Sequence, residues 1–370
     1  MTDKRESQAS GATVFSAAIM THPSRLDYAR SIASRLPGIG VELAVDPDPG
    51  ARPSTVRTAR RAFGASTSEA THHLVLQDDV LMTDGFLRVL EEAVVMRPEA
   101  ALSLFAEWGS RTAYLARWAT SIGVNFVPVF NPYMPMQAIV LPCPLAVDLS
   151  AYLETDVSDE EPDDRAVLRF LTKVDAQRLV VVPNLVEHLD FPSLVGNSDQ
   201  GERRSVCAAL SGDFPVFGPD VLPLPKFLPF FAWTSGDAVV IDTANDVPSA
   251  HRPSGDALSS WGLSAVDQSE EYESSLDLLD EEPRQVDQRL LKGVWQTAVA
   301  LGAVQEAAWP GTIERVLGTD KFATESLFTL APGALRRFVD VSVFMKHKAA
   351  VTTWLRAAMR LGAKRCTVPT

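Results

Sequence analysis

Leu74-Val75-Leu76-Gln77-Asp78-Asp79 joins a run of apolar residues to two adjacent carboxylates. The apolar run predicts a strand buried on both faces of a sheet. Asp78 and Asp79 then stand at the carboxyl end of that strand, where their charges repel each other unless a cation or hydrogen-bond donors lie between them. The pair therefore predicts either a site for Mg²⁺ or Mn²⁺ or the acidic beginning of the next helix.

Strands and helices alternate through this part of the chain. The predicted strands lie at residues 13–20, 41–45 and 73–76, and the predicted helices at 25–36, 54–63 and 84–96. This alternation predicts an α/β fold in which helices cover both faces of a parallel sheet. Ligands of such sheets bind at the carboxyl ends of the strands. Because Thr21-His22, Asp46 and Asp78-Asp79 all follow predicted strands, we expect them on one rim of the sheet.

Composition and charge argue against some classes of protein. The chain has 370 residues, of which 46% are hydrophobic and 22% charged, as in an ordinary globular protein. The net charge of −13 argues against a sequence-independent nucleic-acid binder, which needs basic surface. Three distant cysteines predict a reducing, cytoplasmic location. The polar N-terminus has no apolar signal-peptide core, and the apolar runs fall short of the ~20 residues of a membrane span, so we expect a soluble protein.

The sequence divides into four parts by composition. Residues 1–12 predict a disordered leader, and residues 13–240 carry the predicted α/β domain. Residues 241–285 are rich in Ser, Asp and Glu and are interpreted as an acidic linker or strap. Residues 286–370 are predicted to be helical, and within them residues 336–365 carry eight Lys or Arg and one acid. Such a basic amphipathic stretch lies against an anionic membrane surface, packs on the domain, or joins the subunits of a homo-oligomer.

Two further segments carry candidate chemistry. Pro183-Asn184-Leu185-Val186-Glu187-His188 follows a predicted strand and ends in a histidine, which is either a packed side chain or a ligand that suits Mn²⁺ better than Mg²⁺. Ser158-Asp159-Glu160-Glu161-Pro162-Asp163-Asp164 is an acidic loop that runs into a helix predicted at 165–173. Asp163 and Asp164 are therefore either helix-capping acids or candidates for a general base.

From Thr13 to about Arg204 the chain resembles the GT-A-fold glycosyltransferases, in particular the bacterial family-2-like or lipopolysaccharide-type enzymes, which use nucleotide sugars and have one Rossmann-like domain. His73 to Val80, with Phe86 and Leu90 behind it, looks like the Asp-x-Asp motif of that family. Gln77 departs from the motif, because the family usually has its first acid there. The resemblance implies a mixed, mainly parallel sheet flanked by helices, here with a helical C-terminal extension, and a bound Mn²⁺ or Mg²⁺ ion.

The resemblance also implies roles for individual residues. Asp79 and His188 correspond to metal ligands. Asp164, or else Asp163, corresponds to the base that deprotonates the acceptor hydroxyl in inverting members. The residues implied at the nucleotide sugar are Thr21, His22, Arg25, Asp46 and Asp78. Turn formation, helix capping or packing would equally account for these residue types.

We therefore expect a metal-dependent glycosyltransferase that moves a sugar from a nucleoside-diphosphate donor to an acceptor hydroxyl with inversion. The acceptor is a glycan, a lipid-linked intermediate or a small natural product, and the sequence does not choose among them. One alternative is a non-catalytic GT-A-like binding or scaffold protein. The other is a nucleotidyltransferase, which usually has a Gly-rich, basic loop after its first strand; the segment from Thr21 to Arg25 lacks such a loop.

Overall fold

The computed structural model describes residues 12–191, 198–314, 318 and 320–369. The predicted leader lies outside the described residues, apart from residue 12. The strands are β1 (Phe15–Thr21), β2 (Val41–Val45), β3 (His72–Gln77), β4 (Val80–Met82), β5 (Ala101–Ser103), β6 (Phe126–Pro128), β7 (Ala138–Pro142), β8 (Arg178–Val181), β9 (Val186–His188), β10 (Phe227–Ala232), β11 (Asp237–Asp242) and β12 (Arg252–Pro253).

The α-helices are named in chain order. They are α1 (Leu26–Ser34), α2 (Thr55–Gly64), α3 (Phe86–Met96), α4 (Arg111–Ile122), α5 (Cys143–Asp156), α6 (Asp163–Lys173), α7 (Ser254–Ser260), α8 (Ala265–Ser275), α9 (Glu281–Arg284), α10 (Gln288–Ala308), α11 (Lys321–Phe328), α12 (Leu330–Leu335), α13 (Ser342–Met345) and α14 (Lys348–Arg365).

The main sheet has seven strands in the order β2-β1-β3-β7-β5-β8-β6. β1 pairs in parallel with β2 and β3, and β5 pairs in parallel with β8. β7 runs antiparallel between β3 and β5, and β6 runs antiparallel at the edge beside β8. The predicted mixed, mainly parallel sheet is therefore confirmed. Since Thr21 pairs with Val45 and Met20 with Gln77, the carboxyl ends of β1, β2 and β3 meet at one rim.

Side chains of the central strands alternate between two layers of helices. Ala17 and Ile19 of β1 belong to a core that α1 and α3 cover, and Ala18 and Met20 belong to a core on the opposite face beneath α2, α5 and α6. Successive strand residues point to opposite faces, so a central strand covered on both sides needs an uninterrupted apolar sequence. Leu74, Val75 and Leu76 at the centre of β3 supply that sequence, and Asp78 and Asp79 follow only after the strand has ended.

A short two-stranded ribbon lies beside the rim of the main sheet. β4 pairs antiparallel with β9, and the register places Val80 opposite His188. The backbone N–H of Leu189 donates a hydrogen bond of 2.7 Å to the carbonyl oxygen of Asp79, which continues the pairing by one residue. The ribbon therefore fixes His188 next to Asp79 although more than a hundred residues separate them in the chain.

The C-terminal half packs on helix α4 and shares one core with it. This core contains Trp118 from α4, Trp295 from α10 and Trp354 from α14, all buried. Helices α10 and α14 cross at backbone distance: a Cβ on Gly302 would lie 2.0 Å from the carbonyl oxygen of Met359. Glycine at the crossing therefore permits close contact between the two helices.

The acidic segment 241–285 is largely helical, although its composition predicted a linker or strap. It contains α7, α8 and α9. Trp261 and Tyr272 within it are buried, and the ring of Tyr272 packs edge-on against Trp295 of α10 at a centroid distance of 5.8 Å. Its acids occupy mainly exposed positions, so they dominate the composition while a few apolar residues hold the segment on the core.

The basic stretch 336–365 also packs on the protein. Its apolar residues Val351, Trp354 and Leu355 are buried on the side of α14 that meets α10, so this side is not available to a membrane surface. Basic residues in the stretch form ion pairs with acids elsewhere in the chain, as Arg336 does with Glu107. Among the described residues, no helix combines the length and hydropathy of a membrane span. The apolar side of α14 therefore packs on the domain.

Candidate active site

A cleft of about 370 Å³ opens at the carboxyl ends of β1, β2 and β3. Predicted site residues that line it are Thr21, His22, Arg25, Asp46, Asp78, Asp79, Asp163 and Asp164. His188 lies behind the lining, with Nε2 3.5 Å from Oδ2 of Asp79. The fold therefore brings the residues predicted at the metal, the nucleotide and the acceptor hydroxyl to a single rim.

Asp78 ties the end of β3 to the end of β1. Its Oδ2 atom accepts hydrogen bonds from the Thr21 hydroxyl at 2.8 Å and from the His22 backbone N–H at 3.2 Å. Its Oδ1 atom accepts a hydrogen bond from Arg25 at 3.2 Å. Burial raises the pKa of Asp78, although the hydrogen bonds from Thr21 and Arg25 oppose the shift. Both oxygens thus have protein donors, and Asp78 holds the rim together.

Asp79 and His188 have polar atoms without partners. The Oδ1 atom of Asp79 and both ring nitrogens of His188 are buried and make no hydrogen bond to another described residue. A buried polar group left unpaired costs roughly 1–3 kcal/mol. A ligand that binds both side chains would satisfy these atoms. Asp79 and His188 are thus the pair in the cleft that is best prepared for a bound ion.

Arg25 lies across the two adjacent carboxylates. Its guanidinium is 3.2 Å from Oδ1 of Asp78 and 3.6 Å from Oδ2 of Asp79. The same guanidinium lies 5.5 Å from the centre of the Phe191 ring, which itself contacts the ring of Tyr28. A guanidinium over an aromatic face still directs the N–H groups of its planar fork sideways toward oxygen atoms. Arg25 therefore supplies the positive charge that the acidic pair requires in this structure.

Asp46 and His22 make local contacts where they line the cleft. Asp46 forms a bidentate ion pair with Arg57 of α2, with both contacts at 3.0 Å. Burial raises the pKa of Asp46, but the hydrogen bonds from Arg57 and from the Asp48 backbone outweigh it, so the pKa is lowered overall. Nδ1 of His22 accepts a hydrogen bond from the Ser24 backbone N–H. These groups shape the loops around the cleft, and α2 holds Asp46 in place.

Asp163 and Asp164 form the first turn of α6, which begins two residues earlier than the helix predicted at 165–173. Asp163 is buried, its Oδ2 atom has no hydrogen-bond partner among the described residues, and burial raises its pKa. Asp164 is more open. Burial, together with the charge of Asp163, raises the pKa of Asp164 to about 6. A carboxylate with that pKa is ionised at neutral pH and is still basic enough to accept a proton from an acceptor hydroxyl.

The cleft also contains residues that sequence reasoning did not select as site residues. Arg203 lines the cleft, is partly exposed, and makes no hydrogen bond to another described residue. Phe191 lines it as well. The Arg203-Arg204 pair three residues after Gln200 is too common a pattern to mark a site by itself. Only the fold shows that Arg203 faces the same space as five aspartates.

The residues present fit a metal that is shared with a substrate. Among the described residues, no group of three or more His, Cys, Asp or Glu side chains is arranged to hold an ion. Asp79 and His188 together offer two. Mg²⁺ and Mn²⁺ are commonly held by one or two protein groups while substrate phosphates complete the shell, and imidazole suits Mn²⁺. The donor set therefore fits an ion that arrives with a diphosphate, and it does not fit a metal that the protein holds alone.

Comparison of the sequence with protein-family models and with curated proteins gives no match. The fold and the geometry of the cleft therefore carry the functional argument.

Proposed function

We propose that this protein is a glycosyltransferase that moves a sugar from a nucleoside-diphosphate donor to an acceptor hydroxyl, with Mn²⁺ or Mg²⁺ as cofactor and with inversion. The observation that carries the proposal is the unpaired state of Asp79 Oδ1 and of both His188 nitrogens beside the cleft that also contains Asp164. Two unsatisfied ligand groups and one carboxylate of raised pKa are the parts that a metal-assisted transfer with a general base requires.

The diphosphate of the donor would lie between Asp79 and Arg203. Asp79 and His188 would hold the ion, whose charge offsets the negative charge that develops on the departing diphosphate. Arg203 has a guanidinium fork that matches phosphate oxygens and no hydrogen bond to another described residue that it would have to break. The base and ribose would extend toward Asp46 and Pro49, which line the far side of the cleft.

Asp164 would accept the proton of the acceptor hydroxyl as the acceptor oxygen attacks the anomeric carbon. The bond between that carbon and the diphosphate oxygen breaks on the opposite face of the sugar, which inverts the configuration. The products are the glycoside, the nucleoside diphosphate and a proton on Asp164. Because α6 holds Asp164 in its first turn, this base is fixed relative to the sheet. Free Cys143, Cys207 and Cys366 fit a reducing cytoplasm as the place of the reaction.

The proposal is tested by thermal unfolding with UDP, GDP and dTDP, each with and without Mn²⁺, followed by turnover of the matching sugar nucleotides. We expect one diphosphate to raise the melting temperature in a Mn²⁺-dependent manner. Asp79→Asn should remove that dependence. Asp27→Asn, which changes a carboxylate that is 95% exposed on α1, should not.

Each negative result has a separate meaning. No stabilisation by any of the diphosphates overturns the proposal. Stabilisation that is the same with and without Mn²⁺ removes the metal from it. Binding of a sugar nucleotide without any transfer or hydrolysis indicates the non-catalytic alternative. Release of pyrophosphate from a nucleoside triphosphate and a sugar phosphate indicates a nucleotidyltransferase.

A further inference from the structure

Arg25 contacts the carboxylate of Asp79, the group that would hold the ion. Oδ2 of Asp79 faces the Arg25 guanidinium at 3.6 Å and the His188 ring at 3.5 Å, and Oδ1 of the same carboxylate has no hydrogen-bond partner among the described residues. Asp78 holds Arg25 from the other side with a bond of 3.2 Å. The acidic pair therefore has a cation of its own before any metal arrives.

Charge decides what happens when a divalent ion binds at Asp79. Two ionised carboxylates and one guanidinium sum to −1, so an added divalent ion makes the cluster +1. The ion and the guanidinium then repel each other at short range in a partly buried site, where screening by water is weak. A diphosphate removes the excess positive charge, and its oxygens can accept the hydrogen bonds that Arg25 gives up at the carboxylates.

We infer that Arg25 competes with the metal for Asp79, and that the arrival of the diphosphate moves Arg25 from the acidic pair to the phosphate oxygens. Metal and nucleotide then bind cooperatively, because each is a better partner for the site when the other is present. The inference rests on the proposed function in two respects, namely that Asp79 holds the ion and that the anion entering the cleft is a nucleoside diphosphate. It makes Arg25 a positioning residue that controls when the metal site becomes available.

The test measures Mn²⁺ affinity directly, by the loss of the electron paramagnetic resonance signal of free Mn²⁺. Wild type, Arg25→Gln and Arg30→Gln are titrated with Mn²⁺ alone and again with UDP or GDP at saturation. Arg30 lies on α1, which begins directly after Arg25, and its side chain is 65% exposed, so its variant is the matched control for loss of one positive charge. Asp79→Asn in each background gives the binding that occurs elsewhere on this acidic protein.

We expect Arg25→Gln to bind Mn²⁺ alone more tightly than wild type, on the order of tenfold, which is a typical size for the coupling between two sites. The gain in Mn²⁺ affinity on adding nucleotide should be correspondingly smaller in Arg25→Gln than in wild type. Arg30→Gln should behave like wild type in both titrations. Arg25→Lys retains a charge without the planar fork, so its Mn²⁺ affinity should lie between those of wild type and Arg25→Gln.

Mn²⁺ affinity that is unchanged or lower in Arg25→Gln overturns the inference, even if nucleotide binding and sugar transfer are found. If circular dichroism shows that Arg25→Gln does not fold, the same titrations are made with Arg25→Lys. If Arg25→Lys then binds Mn²⁺ no more tightly than wild type, the inference is overturned. If no form of the protein binds Mn²⁺ above its Asp79→Asn background, with or without nucleotide, the metal part of the proposed function fails as well. The two failures are therefore distinguishable.

Discussion

Arg336→Met removes a buried ion pair that joins the segment before α4 to the end of α12. Arg336 is buried, forms an ion pair of 3.0 Å with buried Glu107, and donates a hydrogen bond of 2.8 Å to the carbonyl oxygen of Gly333. Its guanidinium carbon also lies 4.0 Å above the centre of the Trp233 ring. Methionine fills similar space but leaves the Glu107 carboxylate without its cation.

The expected loss of folding stability is large because the charge that remains, on Glu107, is buried. Removing one partner of a buried ion pair costs about 3–5 kcal/mol in free energy of unfolding. Burial raises the pKa of Glu107 and the charge of Arg336 lowers it, so the pKa rises further when Arg336 is absent. A carboxyl group with a raised pKa in the folded state loses stability as the pH rises. The deficit of Arg336→Met should therefore be larger at about pH 8 than at about pH 5.5.

Urea-induced unfolding of wild type, Arg336→Met, Glu107→Gln and the double variant at both pH values measures these quantities. The double variant should be more stable than the sum of the two single losses predicts, because glutamine needs no cation. A deficit below about 1 kcal/mol in Arg336→Met would refute the reasoning, since that is the value of an exposed ion pair. A deficit independent of pH would refute the role given to Glu107.

Three further outcomes follow from the site and the helix crossing. Asp164→Asn should lower the rate of sugar transfer by about 10²–10⁴-fold while diphosphate binding is retained. The wild-type rate should fall as the pH drops through about 6, the pKa of Asp164, and a rate that stays constant below that pH contradicts the assigned base. Asp163→Asn should raise the melting temperature at neutral pH, because burial raises the pKa of Asp163 and ionising this carboxyl group above its unfolded-state pKa costs folding free energy. The rise in melting temperature should shrink toward pH ~4, and an equal rise at both pH values would be inconsistent with this reasoning. Gly362→Ala should destabilise by roughly 1–3 kcal/mol, since its Cβ would lie 1.8 Å from the Val299 carbonyl oxygen. Gly40→Ala, whose Cβ meets no atom within 4 Å, is the control, and equal urea midpoints for the two variants would rule out the close crossing.

The first half of the fold could be predicted from the sequence because its elements carry strong local patterns. β2 occupies the five residues from Val41 to Val45 that alternation with helices indicated, and β3 extends the expected strand by one residue at each end. Helix α4 was not predicted, because neighbouring elements bury it on nearly all sides and it has no polar face to produce a helical period. β4 and β9 have three residues each, too few to show any period.

Site residues could be predicted only where they directly follow a strand or begin a helix. Thr21, Asp46 and Asp78 meet at the rim because parallel strands end together, and that much needs only the order of elements. The hydrogen bonds that occupy both oxygens of Asp78 depend on the β1–β3 register, which single sequences do not reveal. Arg203 comes from a segment with little regular structure, and long-range contacts place it, so no local pattern could have marked it.

The shared core around α4 has a consequence for how the protein is made. Helix α4 is complete at Ile122, but α11, which packs on it, is complete only at Phe328. A nascent chain that has emerged from the ribosome only as far as the sheet would carry α4 with apolar side chains still facing water. The sheet can therefore form during synthesis, but α4 stays uncovered on one side until α11 is released. Chaperones that recognise exposed apolar helices would find their target in that interval.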